Sequence, residues 1–559
     1  MALTPRWSQL LDQLRPRWRV TLTPWTVATL IVVALVLLPI ASILLGVLAG
    51  GSETWDHLAS TVLGLYVRNS VILVFWVGGL TLLAGVSTAW LVSTCRFPGR
   101  SIFEWALILP LAIPTYIIAF TYAEMLGHTG PVQQLLQLVL EPSQTARLRT
   151  GLMSVGGAGV MMALVLYPYV YLITRTSFQK QSGGILESSR ILGKSPWQTF
   201  STIALPMARP ALVAGVTLVL MEVLNEYGAV SYFGVATFTT GIFRAWFSLG
   251  DGPAAIRLSA CLLVLVFLLI VVERAQRGRA RFDSGSRTFR PVVPYELGGW
   301  KAAGAFLVCL IPVALGFVFP VLQLLAWALQ VWPEAMDPRF LTLALNSFGL
   351  ATASAFIAVA VAVLIAFSVR LTPTPLLTLS SRAASLGYSI PGAVIAVGVM
   401  VPFLWVDRQI ASTARDLFGT PLGLILTGTV AALVFAYVVR FLAVALNPVD
   451  SGFTRVCGNL DETSRSLGAP PMKTLLRVDL PLLRGTLVSA GLLVFVDVLK
   501  ELPLTLILRP FDFDTLATRA YQLAADEQLA RSALPALLIV AVGVIPVIML
   551  SRIIARQRV

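Results

Sequence analysis

Glu187-Ser-Ser-Arg190-Ile-Leu-Gly193-Lys-Ser-Pro-Trp197-Gln-Thr-Phe200-Ser-Thr-Ile-Ala-Leu205-Pro206 is a polar loop between two hydrophobic segments, and it occurs twice. The second copy is Glu462-Thr-Ser-Arg465-Ser-Leu-Gly468-Ala-Pro-Pro-Met472-Lys-Thr-Leu475-Leu-Arg-Val-Asp-Leu480-Pro481. Glu, Arg, Leu, Gly and the closing Leu-Pro recur 275 positions apart. Other matches keep the same order. Asn69-Ser70 pairs with Asn346-Ser347 and Ile113-Pro114 with Ile390-Pro391, both at an offset of 277. Glu222-Val-Leu-Asn-Glu226 pairs with Asp497-Val-Leu-Lys-Glu501 at 275, and Thr237–Phe243 with Thr515–Tyr521 at 278. The chain is therefore an internal duplication.

The background is membrane-like. Of 559 residues, 57% are hydrophobic and 12% charged, with mean hydropathy +0.84; soluble domains carry about 25% charged residues. A membrane-crossing helix needs about 20 mostly apolar residues. Twelve stretches qualify: 25–48, 70–92, 103–126, 155–173, 211–230 and 256–272, then 303–325, 348–369, 384–406, 423–444, 486–507 and 534–554. Six spans per half is an even number, so both halves start on the same side and the repeat is parallel. The expected fold is all-α integral membrane, two parallel six-helix repeats. The expected segments are a basic lead with the first span (1–60), a first repeat (61–272), a basic linker (273–301), a seventh span with its external loop (302–340) and a second repeat (341–559).

A cytoplasmic N-terminus places 29 of the 41 Lys and Arg in the inside segments, including one that begins at Arg440 and contains the second loop. That satisfies the positive-inside rule. The net charge of +14 then belongs to the membrane surface and its anionic lipid, and no nucleic-acid partner is expected. The first apolar stretch is too long for a signal-peptide core and reads as an uncleaved span. Cys95, Cys261, Cys309 and Cys457 are scattered and only His57 and His128 are histidines, so no dedicated metal cage is expected.

In the first loop, Gly193 supplies the left-handed residue that ends a short helix. Ser195 caps a second one, with Pro196 at its first position and Gln198 completing a capping box. That helix carries Trp197 and Phe200 on one side and ends at Leu205-Pro206. In the second copy Ala469 replaces the capping serine, and Met472 and Leu475 form the apolar ridge. Gly193-Lys194-Ser195 is not a phosphate-binding loop: Ser188 stands where the required glycine would be and no strand precedes it.

The pattern Glu-x5-Gly-x11-Leu-Pro resembles the EAA loop of ABC importer permeases. Here Ser188-Ser189 and Thr463-Ser464 replace that family's Ala-Ala. The resemblance implies the type I ABC importer transmembrane fold, with Glu187, Arg190, Gly193, Trp197, Phe200 and Pro206 and their counterparts Glu462, Arg465, Gly468, Met472, Leu475 and Pro481 serving ATPase coupling. It also implies two copies of an ATP-binding subunit, ATP and Mg on those partners with no cofactor on this chain, and a periplasmic solute-binding protein. The segments Glu222–Gly228, Tyr232–Phe247 and Lys500–Arg519 are similar to ferric-iron permeases of that superfamily. Thiamine, polyamine, sulfate and phosphonate permeases are built similarly.

Charges inside spans are costly and usually functional. Glu222 and Glu226, and Asp497 and Glu501, are four apart and so on one face of a continuous helix. They are candidates for an outer gate or a transient cation site (Glu226, Glu501), or for structural pairs with Lys500, Arg244, Arg509 or Arg519. Pro114 and Pro391 fall mid-span and are expected to kink their helices, lining a path or serving packing. A secondary transporter of the major-facilitator type also has twelve spans in two parallel halves, but it leaves the paired loops without a role.

Overall fold

The computed structural model describes residues 23–48, 50, 52–127, 130–138, 141–181, 187–189, 191–277, 294–335, 338–419, 423–456 and 458–556. Most of the basic linker, 278–293, lies outside them, as does Arg190. Eleven described helices are long and apolar enough to cross a membrane. They are α1 (Pro24–Leu48), α2 (Leu63–Thr94), α3 (Val155–Lys180), α4 (Leu205–Asn225), α5 (Gly252–Arg277), α6 (Gly299–Trp332), α7 (Pro338–Leu371), α8 (Gly392–Phe418), α9 (Val430–Arg455), α10 (Leu480–Leu499) and α11 (Leu529–Arg556). The twelfth expected span is a broken pair, Arg100–Ala112 and Thr115–Met125, bent by 91°. This is the expected all-α architecture of membrane-crossing helices.

Chain contacts form two compact units, and neither is a sequence half. One joins α1 as far as Leu45 to residues 347–504 and 508–513. The other joins 46–346 to 505–507 and 514–559. The span that opens each half thus packs with the other half's helices. In the first unit Thr29 Oγ1 donates to Ser368 Oγ at 2.8 Å, Ser42 Oγ donates to Gly398 O at 2.6 Å, and Trp25 meets Phe367 edge-on at 5.1 Å. Such hydroxyls suit an interior where no water competes for them.

In the second unit α2 and α3 run side by side in the same direction. Trp76 Nε1 donates to Gly156 O at 3.1 Å near one end, and Trp90 meets Phe178 at 5.4 Å near the other. Between them a side chain at Gly85 would lie 2.7 Å from Val170 Cβ. Only a missing side chain permits that approach, the small-residue device of membrane helix pairs. A two-residue parallel pairing of Cys95–Arg96 with Tyr295–Glu296 ties the end of α2 to the start of α6.

The duplication is visible atom by atom. Asn69 Nδ2 donates to Ala236 O, and Asn346 Nδ2 to Asp514 O. Thr237 and Thr515 each open a short helix with a capping box closed by Thr240 and Thr518.

Candidate functional site: two loops and two broken helices

The loops share one backbone design. Gly193 and Gly468 take φ of +77° and +78°, left-handed values that only glycine adopts without cost. Lys194 N then donates to Ser189 O, and Ala469 N to Ser464 O, satisfying carbonyls that a helix end leaves open. Ser195 forms the expected capping box with Gln198, whereas Pro470 offers the second copy no side-chain cap.

A clasp with no counterpart among the sequence-based expectations holds each loop closed. Ser189 Oγ lies 2.7 Å from Thr199 Oγ1, and Ser464 Oγ lies 2.8 Å from Thr474 Oγ1. The serines occupy a position where the resembled motif has alanine, so here the small residue also ties the two helices of the loop together. The second loop carries a further brace: Arg370 Nε meets Asp461 Oδ2 at 2.6 Å, while the guanidinium also donates to Phe453 O and Val456 O.

Two expectations about the loop need correction. Its second helix does not end at Leu205-Pro206 or Leu480-Pro481. It continues into the span through one π-helical turn, Phe200–Ala204 or Leu475–Asp479. Because Pro206 and Pro481 have no N–H to give, the widened turn absorbs the missing bond and the helix survives. The apolar ridge is also composed differently. Trp197 is 72% exposed and Met472 52%, but Leu475 is only 5% exposed and the half-buried Phe200 ring rests 5.0 Å from Trp90. Phe200 and Leu475 anchor the loop to the protein's own helices. The outward ridge is Ile191, Leu192 and Trp197 in one copy and Leu467, Met472 and Leu476 in the other. Glu187 is half-buried, and Glu462 and Arg465 are exposed.

The intramembrane residues form the second site. Pro114 and Pro391 do not kink continuous helices. Each follows an extended residue, Ile113 (ψ 120°) or Ile390 (ψ 130°), and N-caps a new helix. A proline disfavours helix at the residue before it, and here the preceding 3₁₀ turns, Leu109–Ala112 and Ser385–Ser389, complete the stop.

Nor do the acidic pairs share one helix face. α4 ends at Asn225 and α10 at Leu499, so Glu222 and Asp497 lie on the helices while Glu226 and Glu501 lie just past them. Each of the latter accepts from the first turn of the next short helix: Glu226 Oε1 from Ala229 N at 2.8 Å, and Glu501 Oε1 from Leu504 N at 3.2 Å. Asp497 is paired with Lys500 at 2.8 Å.

The broken helices meet Glu226 and Glu501. In one unit Thr115 Oγ1, next to Pro114, donates to Glu226 Oε2. In the other, Arg440 Nε lies 3.2 Å from Glu501 Oε2 while Arg440 NH1 donates to Ile390 O at 3.1 Å, just before Pro391. The residue matching Thr115 is Gly392, where a side chain would stand 2.6 Å from Glu501 Oε1 and 3.0 Å from the Arg440 guanidinium. The hydroxyl of one copy is thus exchanged for an arginine in the other, and glycine makes room for it. Arg440 lies inside α9 and is 4% exposed; counting it with an inside segment was wrong. None of the four cations considered for Glu501 is this partner.

Phenols from both repeats gather around Glu226. Tyr116 and Tyr521 meet edge-on at 6.3 Å, Tyr227 lies 6.0 Å from Tyr521, and Thr239 Oγ1 donates to Glu226 O at 2.6 Å. Burial, then neighbouring Tyr227, raises the Tyr521 hydroxyl above its ordinary range, so it remains a neutral phenol. Among the described residues no three His, Cys, Asp or Glu side chains gather to hold a metal ion.

Sequence reasoning missed Thr115, Gly392 and Arg440. The available signal was Arg440 itself, an arginine within Val438-Val439-Arg440-Phe441-Leu442, where an unpaired charge would be prohibitive.

Residues 81–281 match the family described as "Binding-protein-dependent transport system inner membrane component". The chain is 26% identical to the Fe(3+)-transport system permease protein FbpB 2 of Haemophilus influenzae, over 85% of this chain and 87% of that one. It is 30% identical to the molybdenum transport system permease protein ModB of the same organism, over 33% of this chain and 80% of the relative. With the sulfate transport system permease protein CysT of Escherichia coli it shares 28% identity, over 33% of this chain and 66% of the relative.

Proposed function

Because this chain belongs to the family of binding-protein-dependent transport inner membrane components, we propose that it is the fused permease of an ATP-driven importer of ferric iron. The observation that carries the ATP-driven part is the pair of loops. Both hold the same glycine-turned, hydroxyl-clasped geometry and present bare apolar side chains next to a span. An exposed Trp or Met cluster of this kind is what a partner's cleft buries. In this reading two ATP-binding subunits seat one loop each and carry the ATP and Mg. The loops and both chain termini face the cytoplasm of the bacterial inner membrane, and a periplasmic binding protein delivers the solute on the other side.

Transport then proceeds by alternating access. ATP draws the two loops together and opens the outer side; hydrolysis restores the inward-open state. The chain itself performs no covalent chemistry. Pro114 with Glu226 and Pro391 with Glu501 stand at helix breaks, and such breaks in a membrane line cavities or are buried in protein. Glu222 and Asp497, on the preceding helical turn, would extend the same acidic lining.

The likeness to FbpB 2 over most of the chain supports Fe(III). The sulfate and molybdenum relatives favour a second reading, an oxyanion. Against it, Arg440 at the second break is already bound to Glu501 and buried, and Lys500 is paired with Asp497. Titrating the cognate binding protein with Fe(III), sulfate and molybdate separates the two. Tight Fe(III) binding is expected; tight binding of either oxyanion, with none of iron, would replace ferric iron by that oxyanion.

A further inference from the structure

A groove of about 460 Å³ lies among α2, α3 and α6. Its walls are helical stripes: Leu80, Leu83, Ala84 and Ser87 on α2 and Val160, Ala163, Leu164 and Tyr167 on α3, with Val308, Ile311 and Pro312 on α6. Each wall belongs to a helix that crosses the membrane, and the small residues Ala84 and Ala163 keep the floor deep.

α6 presses on α3 at one point and has free space beside it at another. Gly316 lets α6 approach so closely that a side chain there would lie 2.5 Å from Leu164 O. Toward the start of α6, a side chain at Gly304 would meet nothing within 4 Å. One turn beyond Gly304 stands Lys301, seven residues before Val308 and hence on the same helix face. Lys301 is exposed, its ammonium 5.8 Å from the ring of the exposed Trp300. At 1.5 Å per residue, Lys301 lies about 10 Å from Val308 and about 15 Å from Ile311 along the axis. Arg96 stands at a similar distance from Ser87 on α2, at the same end of the helices, with Glu296 beside it at 3.2 Å.

We propose that this groove holds one acyl chain of an anionic phospholipid, with the lipid phosphate at Lys301 and Trp300. The lining and the charge beside it choose the occupant. The groove is lined almost wholly by apolar side chains, and one turn beyond Gly304 stands a cation with an aromatic neighbour, the pairing found where membrane proteins meet head groups. The small residues are there to leave room for a chain, and the Gly304 notch joins chain to head group.

The test uses phosphatidylglycerol with a diazirine near the end of one acyl chain, photolysed on the full-length permease in nanodiscs. Adducts are expected on peptides containing Leu80–Ser87 and Val160–Tyr167. Unlabelled phosphatidylglycerol should compete about fivefold better than phosphatidylethanolamine, the worth of one lysine at an anionic surface. Lys301→Gln, an exposed change that leaves the packing alone, should erase that preference and retain the adducts. Adducts spread evenly over the other spans, equal competition by both lipids in the unaltered protein, or an unchanged preference in K301Q would each overturn the proposal.

Discussion

Replacing Arg440 with methionine should destabilise the protein by about 3–5 kcal/mol, the cost of leaving a buried carboxylate without its partner. The side chain is 4% exposed and its partner Glu501 7%, so water cannot take over. The same change strips a donor from Ile390 O at the break before Pro391. Purified R440M should melt well below the parent protein and accumulate poorly. The double change Arg440→Met with Glu501→Leu should recover most of the loss, because replacing both charges removes their desolvation cost together. Glu501→Leu alone, which strands the arginine, should be as harmful as R440M. A single variant as stable as the parent would mean that Arg440 does not hold the break together.

The second large effect falls on the first loop. Trp197→Asp should abolish ATPase stimulation while leaving the melting temperature unchanged, since the ring is 72% exposed. Interface tryptophans of this kind commonly carry about 2 kcal/mol or more, roughly a thirtyfold loss of docking. Phe200→Ala should do the reverse, lowering stability through lost packing on Trp90 and Phe178. In the second copy Met472→Ala with Leu476→Ala should cost less coupling than Trp197→Ala, because Pro470 leaves that helix without a side-chain cap and its ridge is held less rigidly. Dose-dependent stimulation of the ATP-binding subunit, measured beside thermal unfolding, separates docking from folding. Equal losses in the two copies would remove the asymmetry.

Much of this was legible because the duplication wrote the important features twice. The left-handed glycines, the capping box and the apolar character of Trp197 and Met472 are local, set by residues within one or two turns. What escaped is long-range. No periodicity says that Phe200 turns toward Trp90, 110 positions away. Nor does it say that the span opening each half packs with the other half's helices. Helix ends caused the remaining errors. A run such as Glu222–Glu226 looks continuous, but the helix stops at Asn225, and the extended Glu226 turns its carboxylate to the first turn of the next short helix. Arg440 was hidden by its own charge: positive residues mark inside segments on average, and this one is neutralised within the span instead.

The central claim is that two ATP-binding subunits drive this chain through its paired loops. The most direct measurement is uptake of radioactive Fe(III), supplied on the cognate binding protein, into proteoliposomes holding the permease and its ATP-binding subunits. ATP inside the vesicles should drive accumulation that an ionophore does not abolish and that Trp197→Asp with Met472→Asp eliminates. Accumulation without ATP, collapsing on addition of ionophore and indifferent to the two loop changes, would contradict the account and make the chain a secondary transporter.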